Sequence, residues 1–284
     1  MSTDLDDAAD SNKWWVTAAK AAATVALVYF ALSQVEFDGV VDAFAEIGPY
    51  AIAGIVAATV GSLLVQAVRW HRVLRVIGED VSYTEVLAET LVGKMYNILL
   101  PTSVGGDVIK GIRIGGSLEN EHVGLSSVVF DRVVGLLALA SFPLIGLLIV
   151  EAPVDREFEY VAWGFFVASV LLLTFAERGF DLVASLVPER FERTVSLLEE
   201  LAETFRGPAG RASFKAELFV WCLVYQFVSL SMLLAAGMAW DLAAVGPAVF
   251  VGVPLALIAS MLPVTIGGHG LRESLFVVVL AQFG

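Results

Sequence analysis

Apolar residues in this chain come in long blocks separated by short polar loops, a pattern with neither the strand period nor that of a surface helix. About 20 mostly apolar residues are needed to cross roughly 30 Å of hydrocarbon as a helix. Residues 14–32, 50–68, 123–150, 160–176 and 218–238 meet that length and are predicted to span a membrane. Trp14, Trp15, Tyr50, Tyr160 and Trp240 stand near the ends of these blocks, where amphipathic rings favour the interface. Two further apolar segments break the pattern: 83–100 carries Glu85, Glu89 and Lys94, and 246–262 runs into Pro263.

These two irregular segments end in related sequences. Residues 100–111 read L-P-T-S-V-G-G-D-V-I-K-G and residues 262–273 read L-P-V-T-I-G-G-H-G-L-R-E. Leu, Pro and the Gly-Gly pair match outright, and Ser103/Thr265, Val104/Ile266, Ile109/Leu271 and Lys110/Arg272 match in kind. Proline disfavours helical backbone in the residue before it and lacks a donor, while paired glycines accept any turn. Each copy is therefore predicted to be a broken helix that stops at Leu100 or Leu262 and restarts near Gly106 or Gly268. Irregular backbone at membrane depth must be buried in protein or face water, so each copy is expected to form a re-entrant hairpin.

The basic residues of the loops set an expected orientation. Residues 33–48 hold four acidic residues and no Lys or Arg, and are expected outside. Arg69, Arg72 and Arg75 follow the second block and Arg178, Arg190, Arg193, Arg206, Arg211 and Lys215 the fourth, so both loops are expected inside, with a cytoplasmic N-terminus. Three spans separate the hairpins, which then enter from opposite faces, the arrangement of inverted-repeat transporters. The whole chain, 1–284, reads as one transmembrane domain: unit A covers about 14–150, and unit B about 160–284, ending without its last span. The fold class expected is an all-α polytopic membrane protein, an inverted repeat with two broken re-entrant helical hairpins. Residues 177–215 alternate apolar and charged positions at helical spacing, as one or two amphipathic helices at the cytoplasmic surface or an elbow joining spans.

Composition agrees and removes other classes. Hydrophobic residues make up 58% and charged residues 17% of 284, and the mean hydropathy is +0.80, far from a soluble domain. The formal net charge of −13 argues against nucleic acid as a partner, since phosphates would find little to neutralise them. With 12 Arg, only 5 Lys and 30 acidic residues, the surface is halophile-like. One cysteine, Cys222, allows no intramolecular disulfide or Cys-based metal cluster. The acidic first twelve residues lack the basic start of a secretory signal.

The candidate chemistry lies in ionisable residues placed where they are costly. Asp131 and Arg132 sit inside the third span, at roughly +2.5 to 3.5 kcal/mol each at the membrane centre unless paired or wet. Neighbours on a helix point about 100° apart, so each needs another partner, and Lys94, Asp107, Arg272 and Glu273 are the candidates. Asp107 and Lys110 are three apart and His269 and Glu273 four apart on their hairpins, beside Arg272. Such a set either locks the hairpins together as ion pairs or contacts a substrate. The helix starts at Gly105-Gly106 and Gly267-Gly268 are further candidates, because free N–H groups there attract anions. No catalytic residue, metal ligand set or cofactor is expected. Gln226, Tyr225 and Ser229 read as polar contacts gluing helices.

Arg69 to Leu74, Leu100 to Arg113, the Phe130-Asp131-Arg132 element with Gly135, and Leu262 to Glu273 together resemble the transmembrane domain of lysylphosphatidylglycerol synthases, a flippase-like family. The resemblance implies movement of a modified phospholipid between leaflets, or a part beside glycosyltransfer onto polyprenyl lipids in archaeal glycosylation. Unlike that pattern, no appended soluble aminoacyl-transferase or glycosyltransferase domain is expected. The expected function is a plasma-membrane, multi-pass, flippase-like transporter of an anionic phospholipid or polyprenyl-phosphate-linked lipid. The alternative is a membrane subunit or enzyme of lipid-linked glycosylation or lipid aminoacylation. Expected partners are lipids with anionic head groups, and a separate glycosyltransferase or lipid-modifying enzyme.

Overall fold

The computed structural model of the chain describes residues 48–99, 105–118, 120–149, 156–188, 191–239 and 248–260, with single positions 29, 246, 274, 276 and 277. All regular structure among the described residues is helical. In chain order the helices are α1 (Pro49–Val76), α2 (Tyr83–Leu99), α3 (Gly105–Ser117), α4 (Glu121–Ile149), α5 (Arg156–Leu186), α6 (Glu192–Arg206) and α7 (Ala212–Ala239). A π-helical turn, Ala248–Gly252, then leads into α8 (Val253–Ser260). The protein is an all-α polytopic membrane protein: α1, α4, α5 and most of α7 are each long and apolar enough to cross a bilayer. They correspond to the second to fifth predicted spans. The first predicted span, the second hairpin tip at 262–273 and the end of unit B lie outside the described residues.

The most buried of the four long helices, α4, is the axis of the bundle. Phe130 is fully buried and packs edge-on against Phe205, with centroids 4.8 Å apart, and stacks on Phe214 at 6.4 Å. Val73, Val134, Ala138, Ala176, Leu218 and Cys222 complete a core drawn from α1, α4, α5 and α7 as well as α6. Outward faces are apolar too: Val56, Val60, Val167, Leu171 and Val220 are exposed, as lipid-facing positions must be.

One expectation is revised and another narrowed. Helix α1 does not stop at the predicted span end but continues through Arg69, Arg72 and Arg75 to Val76, because Gln66, Arg69, Trp70 and Val73 recur at helical spacing and all are buried. Residues 177–186 continue α5, so the amphipathic stretch yields one separate helix, α6. It turns Leu201, Ala202 and Phe205 into the bundle, and Thr204 donates to Ser126 of α4 at 3.0 Å. The helix therefore serves as the elbow between α5 and α7, and Gly207-Pro208 ends it.

Candidate functional site

Helices α2 and α3 form an antiparallel hairpin of helices too short to cross a membrane singly, about 26 Å and 20 Å at 1.5 Å per residue. At one end Arg113 grips Glu89 through two hydrogen bonds of 2.6 and 2.9 Å. At the other the backbones nearly touch: a Cβ on Gly106 would lie 1.9 Å from the Gly93 carbonyl oxygen, so that position admits only glycine. Leu91, Met95, Tyr96, Val108 and Ile112 leave the hairpin's outer faces apolar and exposed. A second glycine contact seats α3 on α4, where a Cβ on Gly124 would meet the Gly111 oxygen at 2.1 Å.

The hairpin brings its charged residues onto the middle of the bundle. Asp107 and Lys110, both buried, pair at 3.0 Å, and Arg132 of α4 reaches Asp107 through Nη2. Asp131 turns the other way and accepts two hydrogen bonds from Arg69 of α1, at 2.6 Å from Nε and 2.7 Å from Nη2. Thus neighbouring Asp131 and Arg132 do find separate partners. One of the expected candidates, Asp107, takes Arg132, while Arg69 was not among those proposed for Asp131.

Aromatic rings line the same region. Lys110 Nζ lies 4.6 Å from the Trp70 ring centroid, and Trp70 Nε1 donates to Ser127 at 3.0 Å. Tyr225 of α7 receives Arg69 at 5.0 Å and Lys94 at 6.0 Å on its ring. Such cation–π contacts hold cations where water is scarce.

The cations divide into two kinds. Arg69 and Lys110 are closed in, almost inaccessible and each bound to a carboxylate. Lys94 is exposed, and Arg132 keeps 41% of its side chain accessible, although its Nε is buried and has no hydrogen-bond partner among the described residues. The start of α3 is also less open than its sequence suggests. Asn97 accepts from the Gly106 N–H at 2.8 Å, and Asp107 places a carboxylate in the first turn. A helix start already holding an anion of its own attracts a second one less, so this helix N-terminus is a weaker anion site than the open side chains. Gly105 begins α3. Gly267, Gly268, His269, Arg272 and Glu273 lie outside the described residues.

Sequence reasoning missed Arg69, Asn97, Trp70 and the placement of Tyr225. The signal for the first was present: Gln66, Arg69, Trp70 and Val73 carry the helical period past the apolar block.

Residues 17–284 match the family described as lysylphosphatidylglycerol synthase TM region. The chain belongs to this family. Membership places it among membrane proteins associated with lipid modification or transport. No curated protein and no solved structure gives a significant match.

Proposed function

We propose that this member of the family is a flippase-like transporter that carries a lipid with an anionic head group between leaflets. One observation carries this reading: two open cations, Lys94 and Arg132, stand on a network of buried ion pairs beside a short helical hairpin with lipid-facing apolar sides. Intramembrane charge is costly, and a structural lock needs none of it to remain open. The head group would sit on Lys94 and Arg132 while the tail stays in the bilayer. Arg69–Asp131 ties α1 to α4 and Arg132–Asp107 ties α4 to α3, while Lys110–Asp107 braces α3 internally.

Alternating access follows if the second Pro-Gly-Gly element forms a hairpin entering from the opposite face, as the loop charges suggest. The placement in a plasma membrane with a cytoplasmic N-terminus belongs to the same reading. Purified chain in liposomes tests it: labelled anionic lipid should exchange between leaflets faster than in protein-free liposomes, and a zwitterionic lipid should lag. Exchange no faster than in empty vesicles, across a panel of phospholipids and polyprenyl phosphates, would reject transport.

A further inference from the structure

We propose that the rim selects lipids ending in a phosphate monoester, which carries up to two negative charges, over phosphodiester lipids, which carry one. The inference rests on the head-group site just proposed and names its substrate class. Among the described residues the cluster is bounded by Arg69 on α1, Lys94 on α2, Asp107 and Lys110 on α3, Asp131 and Arg132 on α4, and Tyr225 on α7. Arg69 and Asp131 cancel in a closed bidentate pair. Asp107 is shared between Lys110 and Arg132, so those three residues carry one excess positive charge. Lys94, resting on the Tyr225 ring with no carboxylate within ion-pair distance among the described residues, adds another.

Both excess charges fall on the accessible side of the cluster, at Lys94 and Arg132. Lys94 follows Gly93 and Asp107, which holds Arg132, follows Gly106; because those two glycines are in contact, the two cations flank one place on the rim, where a single phosphate can answer both. A diester bound there would leave one cation uncompensated in a poorly hydrated place, whereas a dianionic monoester neutralises the pair. Arg132 suits this role because its planar guanidinium has donors beyond the one given to Asp107.

The test is equilibrium binding to the full chain in nanodiscs of neutral lipid, with phosphatidic acid, a polyprenyl monophosphate and phosphatidylglycerol as probes from pH 5 to 7. A monoester has its second pKa near about 6, so its dianion fraction rises about tenfold over that range. Monoester affinity should rise by up to the same factor while phosphatidylglycerol affinity stays flat. Lys94→Gln and Arg132→Gln should each flatten the monoester rise, Arg132→Lys should restore part of it, and Arg113→Gln, outside the cluster, should leave it intact. Tighter binding of one monoester than the other supports the inference and identifies which tail the protein takes. Phosphatidylglycerol binding as tightly as both monoesters, with no pH dependence, would overturn the substrate class and leave the head-group site standing. Binding of none of the three would overturn the site itself.

Discussion

Arg69 and Asp131, 62 positions apart, close on each other through two hydrogen bonds of 2.6 and 2.7 Å, with both side chains almost fully buried. The pair ties α1 to the central helix α4 and turns Asp131 away from Arg132, which is thereby free to face Asp107 and the open side of the cluster. Its two parallel bonds fix a rotation as well as a distance, which a Lys–Asp pair would not.

Removing one member should therefore strand a charge at depth. Arg69→Leu or Asp131→Leu alone is expected to cost about 3 to 5 kcal/mol, while the double variant recovers much of that loss. Denaturation of purified protein in detergent, run as a double-mutant cycle, gives the coupling. Additive losses would show that the two groups are stabilised independently.

The glycine contact between α2 and α3 makes a contrast of neighbours. Gly106→Leu should displace the hairpin and abolish lipid exchange, because its Cβ would overlap the Gly93 oxygen. Val108→Leu, two residues along on an exposed apolar face, should be tolerated. Exchange assays on both variants at matched expression check this, and equal activity would mean that close approach at Gly106 is unnecessary.

Helix α6 has a titrating carboxylate. Burial pushes the Glu200 carboxyl above its usual range, Glu203 and Glu79 push it the same way, and His122 opposes them. A carboxyl whose folded pKa is raised binds its proton more tightly in the native state. Its contribution is fully present below the unfolded pKa and is lost as pH rises through the folded one. Glu200→Gln should accordingly raise the melting temperature at pH 7 relative to the parent, with the difference shrinking toward pH 4. A difference independent of pH would point to side-chain packing instead.

Much of this architecture was legible because the bilayer imposes one rule on many residues: the apolar blocks at 123–150 and 160–176 reappear as α4 and α5. That α2 and α3 are separate helices was legible too, because a proline and paired glycines stand between the two apolar segments, and Gly105 starts α3. The fate of Arg69 was not, because a loop-charge count treats every Arg after an apolar block as solvated. Only the buried periodicity through Val73 reveals that the helix goes on. Nor does sequence distance show that Asn97 occupies the Gly106 donor, a contact set by how closely two glycines let α2 and α3 approach.

Orientation is open to chemistry at the two ends of α5, whose 31 residues separate Glu157 from the elbow that begins near Arg193. In a Cys222→Ala background, Glu157→Cys is expected to react with an impermeant thiol reagent in intact cells, and Arg193→Cys only after lysis. The reverse pattern would invert the proposed topology and remove the case for an inward N-terminus.

The most direct measurement of the central claim is leaflet exchange of an anionic lipid in liposomes holding wild-type protein or Lys94→Gln/Arg132→Gln at equal density. Asp107 keeps its Lys110 partner in the double variant, and an unchanged melting temperature verifies that the fold survives loss of the Arg132–Asp107 link. Loss of exchange by the folded double variant, with rapid exchange by the wild type, is the expected result. Equal rates in the two preparations would contradict an anionic head group passing over these cations.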